Sequence, residues 1–559
     1  MWFPLCSFLR ACRRRLFARE TLLCALALSS GSLVVMLNLP VLWRDYDGFG
    51  QITAPPGHLT ILAFPPLYPF LSRLPVLFVS ALSGLAHPHS LEININRPIL
   101  LNNLGLVLLV GAQQVALLFA LALLVVKCSR RPLVRCVIIV VLLCHPVLFV
   151  IAQFVSSEAL ATILAITLIA IAVHLASEDE LTRNGLIALG LCLYANVMTR
   201  HNALVYFVVL PLVFLFGTIT FLPDQRKRRA HFRKFLITSA VGAAAFIAAK
   251  LTVLDLCLAF HEPYRSVIGR SLIYRFDLID RMPAEEKAAY LRKLQTSASD
   301  PITKQAIPAV LMAKGYWGNS MRVIKDLIQL QDKRLGGKKL DARADHYLNE
   351  ICQLCYQAPP PALFADIRAT IVHSLSRTTP SDIIQFLYQN AKRSLALYRS
   401  SSDLRKKTGH LASCSADADS QIHRAEGRWW LRGFDPIPCG ITFSVILALA
   451  IILRSLGRFQ GDALRLLLAL GVVNVLMMVG TLSLTPYSPR FVLPSCVINA
   501  GAFAILLGGL DNLFLPGCFR RKDLHNTTPR RGVEQPGRDR KSTRLNSSHA
   551  LLSRMPSSA

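Results

Sequence analysis

Apolar runs of about 20 residues recur along the chain, separated by short polar connections rich in Arg and Lys. That is the length a helix needs to cross the hydrocarbon of a bilayer. Runs at 21–43, 98–126, 134–154, 158–176, 185–198, 202–222, 235–258, 437–453, 466–484 and 491–510 predict about ten transmembrane helices. Between 259 and 436 the hydropathy falls and helix-start signals take over. Pro283-Ala284-Glu285-Glu286, Asp300-Pro301 and Ser381-Asp382 each open an amphipathic stretch. The expected fold class is an all-α polytopic membrane protein: about ten transmembrane helices, with a mainly helical extracytoplasmic domain inserted before the last three spans.

Charge orients these elements. The chain has 559 residues, 53% of them hydrophobic, and a net charge of +29. So large a positive charge on a soluble domain would suggest nucleic acid, but here the basic residues cluster between apolar runs, as the positive-inside rule produces, and no nucleic-acid partner is expected. Arg10, Arg13, Arg14, Arg15 and Arg19 place residues 1–20 in the cytoplasm. Ala25-Leu26-Ala27 mimics a signal-cleavage site, but the apolar run continues past it, so 21–43 reads as an uncleaved first helix. Lys127, Arg130, Arg131 and Arg135 mark the inside again. So do Arg226-Lys227-Arg228-Arg229 with Arg233 and Lys234, then Arg454, Arg458 and Arg465, and last Arg520, Arg521 and Lys522. The turn at 177–184 has the least support, with Glu178, Asp179 and Glu180 beside Arg183. This topology for a cytoplasmic (inner) membrane protein leaves 44–97 and 259–436 outside, 98–258 as helices two to seven and 437–510 as helices eight to ten. Residues 511–559 form a cytoplasmic tail expected to be disordered. Within it, Arg540-Lys541-Ser542-Thr543-Arg544-Leu545-Asn546-Ser547-Ser548-His549 resembles a translated sequencing-adapter read-through, and about 540–559 is set aside from fold reasoning. Of the 14 cysteines, seven lie in or beside apolar runs, where a thiol behaves as a small hydrophobe, so no disulfide framework is implied.

Candidate chemistry gathers at the outer mouths. Arg44-Asp45-Tyr46-Asp47 directly follows the first span. Carboxylates are costly near lipid, which favours a functional role; the plain alternative is a solvated pair past a helix end. A box Phe64-Pro65-Pro66-Leu67-Tyr68-Pro69 follows, then Arg73 and Arg97. Three more motifs fall at outer turns: Val155-Ser156-Ser157-Glu158, Met198-Thr199-Arg200-His201-Asn202, and Tyr487-Ser488-Pro489-Arg490-Phe491-Val492-Leu493-Pro494.

The order and common sidedness of these motifs resemble the GT-C glycosyltransferases, which include protein mannosyltransferases and aminoarabinose transferases of bacteria. The resemblance covers the membrane part, roughly 1–258 and 437–510. It implies a polyprenyl-phosphate-linked sugar donor, an envelope glycan, lipid or protein acceptor, and transfer at the outer face with inversion at the anomeric carbon. An acceptor hydroxyl needs a positioned carboxylate to take its proton; by resemblance that base is Asp47 first and Asp45 second. The departing lipid phosphate needs cations, and a guanidinium fork suits its oxygens. Arg200 and Arg490 are the first candidates, followed by Arg97, Arg44 and His201; a reading of each arginine as a headgroup anchor stands beside this one. Some members use a divalent metal and others none, so no cofactor is certain. Mg²⁺ or Mn²⁺ would have Asp45 and Asp47 as ligands, and two carboxylates alone hold such ions weakly. The chain departs from the family in one respect. Many members carry a second acidic motif in another outer loop, whereas Glu158 and Glu262 lie in different settings here, and Glu158 can simply begin a helix.

Other signals point to structure. Cys352-Gln353-Leu354-Cys355 is a lone CxxC without a second pair for zinc. Gln113, Gln114 and His145 are polar residues within spans, which interhelical hydrogen bonds explain. Lys250 and Asp255 are placed to pair or to snorkel. Arg428-Trp429-Trp430 reads as an interfacial aromatic belt. Two further function classes remain: a lipid or polysaccharide transporter or flippase, which would use broken helices and repeated halves and for which no internal repeat is visible, and a non-catalytic membrane scaffold.

Overall fold

The computed structural model describes residues 18–43, 52, 65–86, 101–220, 223–261, 268–313, 317–402, 405, 411–432, 437–484, 488 and 492–510. The elements run α1 (Arg19–Asn38), β1 (Leu42–Trp43), α2 (Leu67–Ala86), α3 (Asn103–Cys128), α4 (Pro132–Leu143), α5 (Pro146–Ala152), β2 (Phe154–Val155), α6 (Ser157–Ser177), α7 (Arg183–Val197), a 3₁₀ segment His201–Val208, α8 (Val209–Thr220) and α9 (Gln225–Ala259). The inserted region holds α10 (Ile268–Leu272), a 3₁₀ segment Ile273–Arg281, α11 (Ala284–Ser297), α12 (Pro301–Leu311), α13 (Trp317–Gln331), α14 (Gly337–Gln357), α15 (Leu363–Arg377), α16 (Pro380–Ser400), α17 (Ala416–Glu426) and α18 (Trp429–Arg432). The chain then returns through α19 (Cys439–Ser455), α20 (Gly461–Leu484) and α21 (Leu493–Gly509).

Each of the ten apolar runs is helical. Among the described residues six helices are long and apolar enough to cross a membrane: α1, α3, α6, Ala203–Thr220, α9 and Gly461–Ser483. The run at 134–154 is a bent pair, α4 and α5 meeting at 64°, which makes a seventh if counted as one span. The other three fold as α7, α19 and α21, of 15, 17 and 17 residues. In α1 the pattern is explicit. Cys24, Leu28, Gly31, Ser32 and Val35 are buried at helical spacing, while Leu22, Leu26, Leu33 and Leu37 are exposed. On this stripe Gly31 leaves room for Leu143 of α4 and Phe149 of α5, and the Ser32 hydroxyl donates to Gln114 Oε1 of α3 at 2.9 Å.

The stretch 44–97, expected as a loop, contains the 20-residue helix α2 directly after Pro65 and Pro66. Pro69 and Pro75 within it had masked its helical character. Of the terminal segments, 1–17 and 511–559 lie outside the described residues. On sidedness, Lys234 Nζ at the head of α9 donates to the Glu178 carbonyl at 2.7 Å. The acidic turn at 178–182 therefore sits at the same end of the bundle as the basic cluster.

The bend between α4 and α5 follows from Pro146, which lacks an N–H for the helical ladder. Side chains satisfy carbonyls left open at the break and at the C-terminal end of α5. Gln114 Nε2 donates to the Phe149 carbonyl at 2.9 Å, and Gln113 Nε2 donates to the carbonyls of Ala152 and Phe154 at 2.9 and 3.0 Å. Trp430 Nε1 donates to the Leu143 carbonyl at 3.0 Å. Gln113 and Gln114 thus do bond between helices. Of the expected aromatic belt Arg428 and Trp429 are exposed; Trp430 turns inward onto Phe149, because the break offers its indole an acceptor. Lys250 lies over the Phe246 ring, 5.8 Å from its centre.

The region 259–436 divides between two cores. Leu294, Ile307, Ile324, Ile328, Leu348 and Ile351 centre one core, built from 272 to 363. Ile383, Leu387, Tyr388 and Leu395 of α16 instead join the membrane core with Trp43 and Phe149. Capping supports the expected starts. Asp300 accepts from the amides of Ile302 and Thr303 at α12, and Thr379 with Asp382 closes a capping box at α16. Cys352 and Cys355 are both buried in the 272–363 core as free thiols. Burial pushes the Cys355 thiol up to about 12, away from the reactive thiolate.

Candidate functional site

Two short motifs, far apart in sequence, meet at the start of α6. Leu42 and Trp43 pair in parallel with Phe154 and Val155, and Ser156 stays extended as the N-cap, so Glu158 lies in the first helical turn. A carboxylate is favoured there by the helix dipole. Yet Glu158 is only 4% exposed, and a buried charge needs a partner. That partner is Arg200: its Nη1 lies 2.8 Å from Glu158 Oε1. Arg200 reaches this position because α7 ends in a tight turn. The Asn196 carbonyl accepts from the amides of both Thr199 and Arg200, at 3.1 and 2.9 Å.

The pair borders a cavity of about 40 Å³. Thr162, Asn196 and Tyr206 add polar groups to its wall, and Met477 of α20 with Leu493 and Pro494 of α21 supply an apolar side. Three motifs noted in the sequence therefore share one cavity: that of Glu158, that of Arg200, and the Leu493-Pro494 end of the late box. The proline box is fastened to the same place. The Leu67 amide donates to the Met198 carbonyl at 2.8 Å, and the Tyr68 hydroxyl donates to Gln113 Oε1 at 3.3 Å.

Asp45 and Asp47, with Arg44, lie outside the described residues, as do Arg97 and Arg490. His201 begins the 3₁₀ segment, and its side chain is also outside the description. What is described is how both flanks of the acidic stretch are held. On one side Trp43, 1% exposed, donates its indole N–H to Ser413 Oγ at 3.1 Å, and its carbonyl accepts from Ser394 Oγ at 3.1 Å. On the other, the buried Arg73 donates from Nε to the Ile52 carbonyl at 3.0 Å. Arg73 is thus a structural clamp on the stretch. Among the described residues no three His, Cys, Asp or Glu side chains gather as a metal site, and the residues expected to hold Mg²⁺ or Mn²⁺ are not among them.

Sequence reasoning named Arg200 and missed its company. Glu158 was read as a helix-starting carboxylate, which it is, but its partner lies two helices away. Asn196 carried a faint signal, a polar residue within an apolar run four positions before Arg200.

No protein-family model matches the chain, and no curated protein matches it. Among solved structures, the chain is similar to ArnT from Cupriavidus metallidurans in the apo state, with a TM-score of 0.28 and 10% identity over 86% of this chain and 76% of ArnT. It is also similar to the archaeal oligosaccharyltransferase AglB from Archaeoglobus fulgidus, solved with an inhibitory peptide and a dolichol-phosphate. There the TM-score is 0.25 and the identity 11%, over 89% of this chain and 56% of AglB. At such scores neither likeness bears on the site.

Proposed function

We propose that the protein is a membrane glycosyltransferase of the GT-C type, which moves a sugar from a polyprenyl-phosphate donor to an acceptor of the cell envelope at the outer face of the cytoplasmic membrane. The observation that carries this reading is the convergence of the Glu158, Arg200 and Leu493-Pro494 motifs on one cavity that is polar on one side and apolar on the other. A lipid phosphate has that same division.

In this reading Arg200 receives the donor phosphate. Glu158 engages Nη1, and a guanidinium carries five N–H donors, so capacity for phosphate oxygens remains. As the anomeric carbon–oxygen bond breaks, negative charge grows on that phosphate, and a cation fixed beforehand stabilises it without reorganisation. Arg490, Arg97, Arg44 and His201 are proposed as further contacts. Asp47, with Asp45 beside it, takes the proton of the acceptor hydroxyl as the hydroxyl attacks the opposite face of the anomeric carbon, which inverts that centre. In support of this, Trp43, just before the acidic residues, sits in a strand paired beside the start of α6. If a Mg²⁺ or Mn²⁺ ion binds, Asp45 and Asp47 would hold it, and it would add charge stabilisation at the phosphate.

The test is transfer of labelled sugar from a polyprenyl-phosphate donor by the full chain in nanodiscs. Wild type should transfer it, and Asp47→Asn should be slower by about 10²–10⁴-fold. Full activity in a folded Asp47→Asn variant removes Asp47 from the base role. One observation favours a transporter instead: the 64° break between α4 and α5, since discontinuous helices form transporter sites. The break here is capped by Trp430, which donates to the Leu143 carbonyl. Movement of lipid-linked sugar across vesicles without transfer would establish that second reading.

A further inference from the structure

The cavity wall contains a buried amide that the phosphate chemistry does not use. Asn196 is fully buried. Its Nδ2 donates to the Cys192 carbonyl at 2.9 Å and lies 3.6 Å from Cys192 Sγ. That bond fixes the amide, because rotation by half a turn would set its oxygen against the Cys192 carbonyl. Oδ1 is left as a buried acceptor without a partner among the described residues, in a residue that lines the cavity. Leaving such an acceptor unmet is unfavourable, so the position calls for a hydrogen-bond donor that arrives through the cavity. The backbone ties this acceptor to the cation, since the Asn196 carbonyl holds the amide of Arg200 at 2.9 Å.

We propose that Asn196 Oδ1 receives a hydroxyl of the donor sugar, on the same molecule whose phosphate Arg200 holds, and so selects glycosylated over bare lipid phosphate. This rests on the glycosyltransferase reading above. In a glycosyl phosphate the ring carbon next to the anomeric centre carries a hydroxyl, so a cation for the phosphate and an acceptor for that hydroxyl must be neighbours. The cavity, about 40 Å³, has room for roughly three water-sized groups, so it takes single oxygens of the donor at Asn196 and Arg200, while Met477 and Leu493 form its apolar side.

The experiment measures binding of decaprenyl phosphate and of decaprenyl-phosphoryl hexose, without acceptor, to the full chain in nanodiscs. Wild type should bind the glycosylated lipid about tenfold more tightly, the worth of one hydrogen bond. Asn196→Leu, and Asn196→Ala as a smaller change, should bring the ratio to about one while still binding the bare lipid phosphate, which also reports that the variants are folded. A preference that survives in either folded variant overturns the proposal. Equal binding of the two lipids by wild type also overturns it, leaving Oδ1 to water while the glycosyltransferase reading stands. Failure of wild type to bind either lipid overturns both.

Discussion

Glu158 and Arg200 show how burial turns two ordinary residues into a site. Glu158 is all but inaccessible, its side chain 5% exposed, whereas that of Arg200 is 24% exposed. Removing one partner of a buried pair strands the other charge, at a cost of about 3–5 kcal/mol. Glu158→Gln should therefore lower thermal stability in detergent and weaken lipid-phosphate binding, because the Gln amide holds Arg200 less firmly. Arg200→Lys should keep a positive charge yet lose the fork geometry; the expected result is a fall in transfer of at least tenfold with near-normal folding, checked by activity and melting together. A second residue-scale prediction concerns pH. Burial raises the Cys355 thiol from 9.0 to about 12, so the folded chain keeps its proton where the unfolded chain releases it. The stability this contributes is full below pH 9 and declines as pH rises from there toward 12. Cys355→Ala should make that alkaline decline shallower, and native Cys355 should resist iodoacetamide at pH 8. At this scale the sequence was legible where a residue stood in a recognisable motif, as Arg200 did. It was silent where a role depended on a partner in another element, as with Glu158 and Asn196.

Among the elements, the bent pair α4 and α5 is the most informative. Trp430 satisfies a carbonyl at its break, Gln113 and Gln114 satisfy carbonyls at the C-terminal end of α5, and the chain beyond leads through Phe154-Val155 into the turn bearing Glu158. Gln113→Leu would leave the Ala152 and Phe154 carbonyls unmet, at about 1–3 kcal/mol. The melting temperature should fall, and binding at Arg200 should weaken with it. Removal of a pair that merely decorates a helix face would change neither. The junction of α15 with α19 is equally constrained. A Cβ added at Gly440 would come 2.6 Å from the Leu375 carbonyl, closer than backbone tolerates, and overpacking of this kind costs about 1–3 kcal/mol. Gly440→Ala should destabilise the chain by that order, read by thermal unfolding. Apolar runs announce helices well because every backbone group in lipid must be satisfied within the helix; all ten runs hold a helix, and among the described residues six, or seven with the bent pair, are long enough to cross a membrane. Helix α2 was hidden by its prolines, and the bend at Pro146 could be placed but not its angle.

Taken whole, the molecule is an all-α polytopic membrane protein whose inserted region serves two purposes. One part builds its own core around Leu294 and Ile324. The other, α16 to α18, extends the membrane core and holds Trp43, the last described residue before the acidic stretch. Hydropathy alone could not divide these parts, since α16 is amphipathic like its neighbours and only contact shows what its apolar face covers. The central proposal is that the candidate motifs form one glycosyl-transfer site at the outer face of the membrane. It is tested most directly by incubating the purified chain in nanodiscs with a labelled polyprenyl-phosphate sugar and envelope acceptors, and by determining the anomeric configuration of the product. Transfer with inversion, lost in Asp47→Asn and strongly reduced in Arg200→Ala, is the predicted result. Absence of transfer by a folded chain that binds the donor, or transfer unaffected by both substitutions, would contradict it.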